Sequence, residues 1–247
     1  MRQSLSHVLL DIEGTTCPMS FVSDTLFPYA ATHLGSFLEA HGDEEEVGAL
    51  VEQVEQAWQR DPDPAARELR QSAEEKTGAP RVLPYLLWLI GQDRKLTPLK
   101  DLQGRVWQAG YRSGELQGPL YEDVAPALRR WRADGLGLAV YSSGSVAAQQ
   151  LIYGHSTAGD LCPLFSHWFD TRIGSKLEPE SYACIVRQLE TEAGRVLFIS
   201  DSVQELQAAN QAGLATLLCA RDADGTCTDD WSAAAVIRSF DDVTLRP

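Results

Sequence analysis

His7-Val8-Leu9-Leu10-Asp11-Ile12-Glu13-Gly14-Thr15-Thr16 begins as an apolar run and ends in two carboxylates and a tight turn. Val8 to Leu10 read as a buried strand, and Gly14 breaks it. Side chains alternate along a strand, so Asp11 and Glu13, two apart, project to one side at its C-terminal end. Open α/β sheets place their chemistry at that end. A carboxylate pair there can hold a hard cation, attack phosphorus or move a proton. It also suits a strand that ends in solvated acids, and the rest of the chain decides between the two.

Beyond this stretch the pattern changes twice. From about Phe21 to Gly118 almost no strand-like run occurs. The spacing predicts helices over 21–40, 44–60, 81–92 and 97–110. Asp61-Pro62-Asp63-Pro64 closes the second, and Pro98 stands in the first turn of the last. From Tyr121 onward helix and strand alternate. Strands are predicted at 136–141, 168–170, 195–200 and 215–219, with helices at 124–133, 146–153, 179–191 and 203–212. A polar loop, a helix and a short tail are expected after Asp229. Such alternation implies parallel strands joined by helical crossovers. The expected fold class is α/β, with a Rossmann-like parallel sheet core over 1–17 and 119–247 and an α-helical insertion over 18–118.

Composition narrows the function. The 247 residues carry a net charge of −14, which argues against nucleic acid and anionic membranes as partners. An anionic substrate needs a local exception: a metal ion, a lysine or a helix N-terminus. No apolar run approaches the roughly 20 residues of a membrane helix, and no secretory signal precedes Asp11, so a cytoplasmic protein is expected. Five cysteines (Cys17, Cys162, Cys184, Cys219, Cys227) form no CxxC pair, which speaks against a disulfide framework or a zinc site. Most are read as inert core thiols. The five histidines show no metal-ligand spacing. No coiled-coil or long apolar helix face demands a partner.

Four polar clusters fall at predicted strand ends or helix starts: Asp11/Glu13, Ser142/Ser143, Lys176, and Asp201 with Glu205 one helical turn later. Phosphoryl transfer uses groups of these kinds: an in-line nucleophile, a metal to neutralise phosphate oxygens, and a cation with N–H donors for the rest. Ser142-Ser143-Gly144 follows a strand and opens a helix, so its hydroxyls and N–H groups can cradle an anion or serve as an ordinary helix cap. Lys176, in Gly174-Ser175-Lys176, reads alone as a solvated lysine. Asp201 follows a buried strand, where an acid is costly unless paired, exposed or on a metal. Glu205 reads more readily as a helix first-turn acid than as a brace for the site.

In this order the clusters resemble the four motifs of the haloacid dehalogenase-like (HAD) phosphohydrolases. The usual first motif there is Asp-x-Asp-Gly-Thr; here it is Asp11-Ile12-Glu13-Gly14-Thr15, with Glu for the second Asp. That departure is similar to the enolase-phosphatase branch. So are Tyr141-Ser142-Ser143-Gly144-Ser145, Phe169-Asp170-Thr171 and Glu178-Pro179-Glu180-Ser181-Tyr182. The resemblance is densest over 103–205 and around Asp11, and weakest in the helical insertion and the tail. It implies that Asp11 is the nucleophile and a Mg²⁺ ligand, and that Glu13 is the general acid/base and also binds Mg²⁺, by its backbone carbonyl for example. It further implies that Ser142, Ser143 and Lys176 bind the substrate, that Asp201 is a metal ligand, and that the insertion is a cap. The implied substrate is a phosphorylated small molecule, 2,3-diketo-5-methylthiopentyl 1-phosphate, and the implied state a monomer. A phosphatase for another small phosphomonoester is the alternative.

Overall fold

The computed structural model describes residues 4–73, 77–221 and 235–245. In chain order it contains β1 (His7–Leu10), α1 (Met19–Phe21), a π-helical turn (Val22–Leu26), α2 (Phe27–His41), α3 (Glu45–Arg60), α4 (Pro64–Ser72), α5 (Leu83–Gly91) and α6 (Thr97–Ser113). There follow α7 (Val124–Ala133), β2 (Gly137–Tyr141), α8 (Val146–Gly154), β3 (His167–Phe169), α9 (Pro179–Gln188), β4 (Val196–Ser200), α10 (Val203–Gln211), β5 (Ala215–Cys219) and β6 (Val236–Ile237). The chain divides into two compact units, Met1–Met19 with Gln117–Pro247, and Ser20–Leu116.

In the first unit the strands form one parallel sheet in the order β3-β2-β1-β4-β5-β6. The chain builds outward from β1 on one side and then on the other, so β1 and β4 flank the point where the order reverses. The crevice beyond the carboxyl ends of strands at such a point is where ligands bind in open α/β sheets. Leu10 is in register with Val140 on one neighbour and Ile199 on the other. Asp11, Tyr141 and Ser200 therefore emerge side by side.

Both faces of the sheet are covered, which is why β1 and β4 read as continuous apolar runs. Leu9 packs into a core with Tyr141, Phe198 and Leu218 of the sheet, Tyr182 and Ile185 of α9, and Leu206 and Ala209 of α10. Each such buried leucine contributes about 1.5–3 kcal/mol. Asp11 has the parity of Leu9, so it leaves the sheet toward the ends of α9 and α10 rather than toward the opposite face.

The second unit is helical. Trp58 stacks on Tyr85 with ring centroids 5.0 Å apart, and its indole N–H donates to the Ala66 carbonyl at 2.7 Å. Trp107 donates to the carbonyl of Leu26 at 2.7 Å, which secures the π-helical turn.

Most elements lie where the sequence places them, with three departures. The helix expected over 21–40 is interrupted by the π-helical turn, which no side-chain pattern announces. The turn at Asp61-Pro62-Asp63-Pro64 closes α3 and also starts α4, because Asp63 accepts the Ala65 N–H at 2.9 Å and Pro64 tolerates the first helical position. β6, two residues long, is too short for a periodicity signal. The loop and helix expected after Asp229 fall largely on 222–234, outside the described residues, as does Cys227. Among the described residues no helix is long and apolar enough to cross a membrane.

Candidate active site

Asp11 directly follows β1, is 5% exposed, and donates its backbone N–H to the Ile199 carbonyl at 3.0 Å. Its Oδ1 accepts the Ile12 N–H at 2.8 Å and lies 2.6 Å from Lys176 Nζ. The same ammonium stands 2.6 Å from Glu205 Oε2. The Ser200 hydroxyl completes the ring, 3.1 Å from Asp11 Oδ2 and 3.0 Å from Glu205 Oε2, with one proton for the two carboxylates. Ser200 Oγ in turn accepts the Ser202 N–H at 3.1 Å.

Lys176 is a buried cation, not the solvated lysine that its sequence context suggests alone. The backbone beneath it is fixed. Tyr182 donates to the Lys176 carbonyl at 2.8 Å, and Tyr141 donates to the Gly174 carbonyl at 3.0 Å. Gly174 has φ +143°, and a Cβ there would overlap the Ser181 hydroxyl, so only glycine serves. The Tyr141 ring lies 5.9 Å from the ammonium. Burial pushes the Lys176 pKa down, but the charges of Asp11 and Glu205 more than reverse this, and the group stays charged.

Beyond the strand the chain that carries Glu13 turns tightly. The Ile12 carbonyl accepts the N–H groups of Thr15, Thr16 and Cys17 at 3.2, 2.9 and 2.9 Å, and the Gly14 N–H closes on the Cys17 carbonyl at 2.8 Å. Gly14 has φ +69° and packs so closely on Asp201 that a Cβ would overlap the carboxylate. Glu13 is thus carried on a tight loop that Asp201 abuts. Burial, then the charge of Asp11, raises the Glu13 pKa. The same two causes, in the same order, push Asp201 up to about 6. Cys17 in this loop is pushed up to about 12, first by burial and then by Glu13, so its thiol is no nucleophile.

Ser142 directly follows β2, is buried, and accepts the Gly144 N–H at 3.2 Å. Ser143 is exposed, and Ser145 caps α8 by accepting the Ala148 N–H at 3.3 Å. The turn is held from outside: Gln149 donates to the Gly144 and Phe169 carbonyls at 2.8 Å each, and Asp170 accepts the Val146 N–H at 3.3 Å. Ser143, Lys176 and Glu205 line one cavity of about 580 Å³ with Thr171, Ser175, Leu177, Ser202 and Gln204.

Asp11 and Lys176 are therefore in direct contact, Asp201 abuts the Glu13 loop, and Ser143 shares a cavity with Lys176. Ser142 bonds within its own turn. The sequence reading missed two participants. Glu205 stands in the first turn of α10 and is also bonded to Lys176, so the preference for a plain helix acid is corrected; its spacing from Asp201 was the signal. Ser200, a hydroxyl closing an apolar strand, gave a weaker one.

Asp11, Glu13 and Asp201 offer hard oxygen donors, and the upward push that Asp11 exerts on the other two is the crowding of negative charge that a small divalent cation relieves. Among the described residues no three His, Cys, Asp or Glu side chains are grouped to hold a metal. The donor set fits Mg²⁺ if two side chains and a backbone carbonyl bind it.

Burial, then Asp11, pushes Glu205 up to about 7 against an ordinary 4.5. A carboxyl with a raised folded pKa binds more protons folded than unfolded, so its contribution to stability is lost as pH rises between the two values. The variant Glu205→Gln cannot ionise and should gain on the wild type as pH rises from about 4.5 to about 7. Thermal denaturation of both proteins in chelator measures this; a stability difference that stays flat with pH would show that Glu205 titrates normally in the fold.

The model of the haloacid dehalogenase-like hydrolases matches residues 5–213. An enolase-phosphatase E1 from Synechococcus sp. (strain RCC307) is 52% identical over 86% of this chain and 84% of its own length. One from Pseudomonas aeruginosa is 49% identical over 89% and 91%. The crystal structure of the UTR4 protein of Saccharomyces cerevisiae, 33% identical, superposes with a TM-score of 0.72 over 97% of this chain and 100% of that one. The chain belongs to the haloacid dehalogenase-like hydrolases and, within them, to the enolase-phosphatase E1 family.

Proposed function

We propose that the protein converts 2,3-diketo-5-methylthiopentyl 1-phosphate into 1,2-dihydroxy-3-keto-5-methylthiopentene and phosphate, with Mg²⁺, by enolisation followed by phosphoryl transfer. The observation that carries this reading is the 2.6 Å contact between Asp11 Oδ1 and Lys176 Nζ at the end of β1, in a chain whose relatives bear the enolase-phosphatase name.

In the phosphoryl step an Asp11 oxygen attacks phosphorus in line and the bond from phosphorus to the C1 oxygen breaks. The departing oxygen takes a proton from Glu13, whose raised pKa favours the protonated form. Water then cleaves the aspartyl phosphate and returns a proton to Glu13. Lys176, held charged, neutralises the phosphoryl oxygens as they approach Asp11. Ser142 and Ser143 bind phosphate or the neighbouring substrate oxygens at the start of α8. Mg²⁺ held by Asp11, Glu13 and Asp201 would supply Lewis-acid polarisation of the diketone and neutralise phosphate charge. The four free thiols among the described residues suit a reducing compartment, and we read the protein as a cytoplasmic monomer.

The test is incubation of the protein with the diketone phosphate and Mg²⁺, following phosphate release and the absorbance of the enediol. Both signals should appear together and vanish in EDTA. Phosphate released only from other small monoesters would keep the phosphatase and discard this substrate.

A further inference from the structure

Hydrogen bonds hold the loop of Thr15, Thr16 and Cys17 to the rest of its unit, the Cys219 thiol donating to the Thr15 carbonyl at 3.9 Å among them. Tyr121 N–H donates to the Thr16 carbonyl at 3.1 Å, the Thr16 and Tyr153 hydroxyls are 2.8 Å apart, and Arg221 Nε donates to the Thr15 carbonyl at 2.9 Å. Arg221 follows β5 by two residues and comes from the far side of the sheet order, yet its side chain is 5% exposed. Its guanidinium lies between two rings, 4.5 Å from the centroid of Tyr121 and 4.7 Å from that of Phe240. Nη1 sits 2.7 Å from Asp123 Oδ2. That carboxylate oxygen also accepts the Ser239 hydroxyl at 3.0 Å and the Phe240 N–H. Burial pushes the Asp123 pKa up, but these hydrogen bonds and the Arg221 charge outweigh it, so the carboxylate stays ionised.

Arg221 therefore reaches the catalytic loop directly through Thr15. It reaches the loop a second time through Tyr121, whose ring it covers and whose N–H holds Thr16. Because Gly14 packs on Asp201 with no room for a methyl group, movement of the loop changes the spacing of Glu13 from Asp201. We infer that Arg221 is a positioning residue: its guanidinium, clamped by Asp123, Tyr121 and Phe240, sets the place of the loop that carries Glu13. It is not among the residues that line the cavity around Lys176. Lysine cannot replace it, because its one nitrogen keeps the charge but cannot span Asp123 and the Thr15 carbonyl as Nη1 and Nε do, and it has no planar face for the rings.

The experiment uses Arg221→Lys in the full chain, and it rests on the phosphatase reading through its activity arm alone. Phosphate release by the wild type tests that reading, and only an active wild type makes the comparison. The expected result is a fall in kcat of about tenfold or more with KM nearly unchanged, since misplaced catalytic groups cost rate more than binding. Deuterium exchange of the peptide containing Gly14–Cys17 should quicken, while peptides from β2 and α9 exchange as before. Unchanged loop exchange, or a kcat equal to that of the wild type, would overturn the inference. So would faster exchange throughout the unit, which would make Arg221 a general stabiliser. The variant Asp123→Asn is the second arm: it leaves the Arg221 donors in place without their clamp and should move kcat in the same direction by a smaller factor.

Discussion

Replacing Asp11 with Asn should yield a folded protein that releases no measurable phosphate. Asparagine keeps the shape of the side chain and the oxygen that faces both the Ile12 N–H and Lys176, but it carries no charge and its neutral amide is no nucleophile toward phosphorus. Removal of a nucleophile from an otherwise intact site lowers kcat by about 10⁴-fold or more. Lys176 retains Glu205 as its partner, 2.6 Å away, so the ammonium is not left unpaired and the fold should survive. Phosphate release and circular dichroism on the same preparation check both halves. A variant that still turns over within a factor of ten would remove Asp11 from the chemistry and leave it a structural acid.

Replacing Lys176 with Met should damage both stability and activity. The ammonium is the shared counter-ion of Asp11 and Glu205, and the methionine has none of its charge. Breaking a buried pair by deleting one partner costs about 3–5 kcal/mol, because the other charge remains in the interior. Loss of a cation aimed at developing phosphoryl charge lowers turnover by a further 10²–10³-fold or about that. The two effects separate with pH. Without Lys176 the Glu205 carboxyl is pushed beyond the wild-type value of about 7, so the variant loses stability as pH rises from about 4.5 toward that raised value and recovers as Glu205 is protonated on acidification. Denaturant titrations at several pH values read this directly. A variant as stable as the wild type at neutral pH would mean that the carboxylates rearrange and that the buried ring of charges is not needed by the fold.

The strands at 7–10, 137–141 and 196–200 were legible because each is an apolar run ending in a breaker or an acid, and the one at 215–219 because an apolar run follows Gly213. Their parallel pairing followed from the helices between them. The contact of Asp11 with Lys176 joins residues far apart in the chain, and only the ordered recurrence of four polar clusters pointed to it. Glu205 shows why the remainder was hidden. An acid in the first turn of a helix is explained by the helix alone, so nothing local demands a second role. Ser200 and Arg221 act through partners brought near by the sheet order, which no local pattern encodes. Pro64 misled in the opposite direction, since it belongs to a stretch that reads as the close of α3 yet stands at the first position of α4.

Placing β1 at the centre of the sheet has a consequence for how the chain assembles. His7 pairs with Gly137 on one side and Val196 on the other, so neither neighbour exists when β1 leaves the ribosome. The helices of Ser20–Leu116 pack on one another within that stretch and can form first, whereas β1 must wait with both edges unpaired until the residues around Gly137 and Val196 have been made. The strand that leads into Asp11 is thus made well before either of its partners and secured late, and an apolar segment such as Val8-Leu9-Leu10 needs protection from aggregation during that interval.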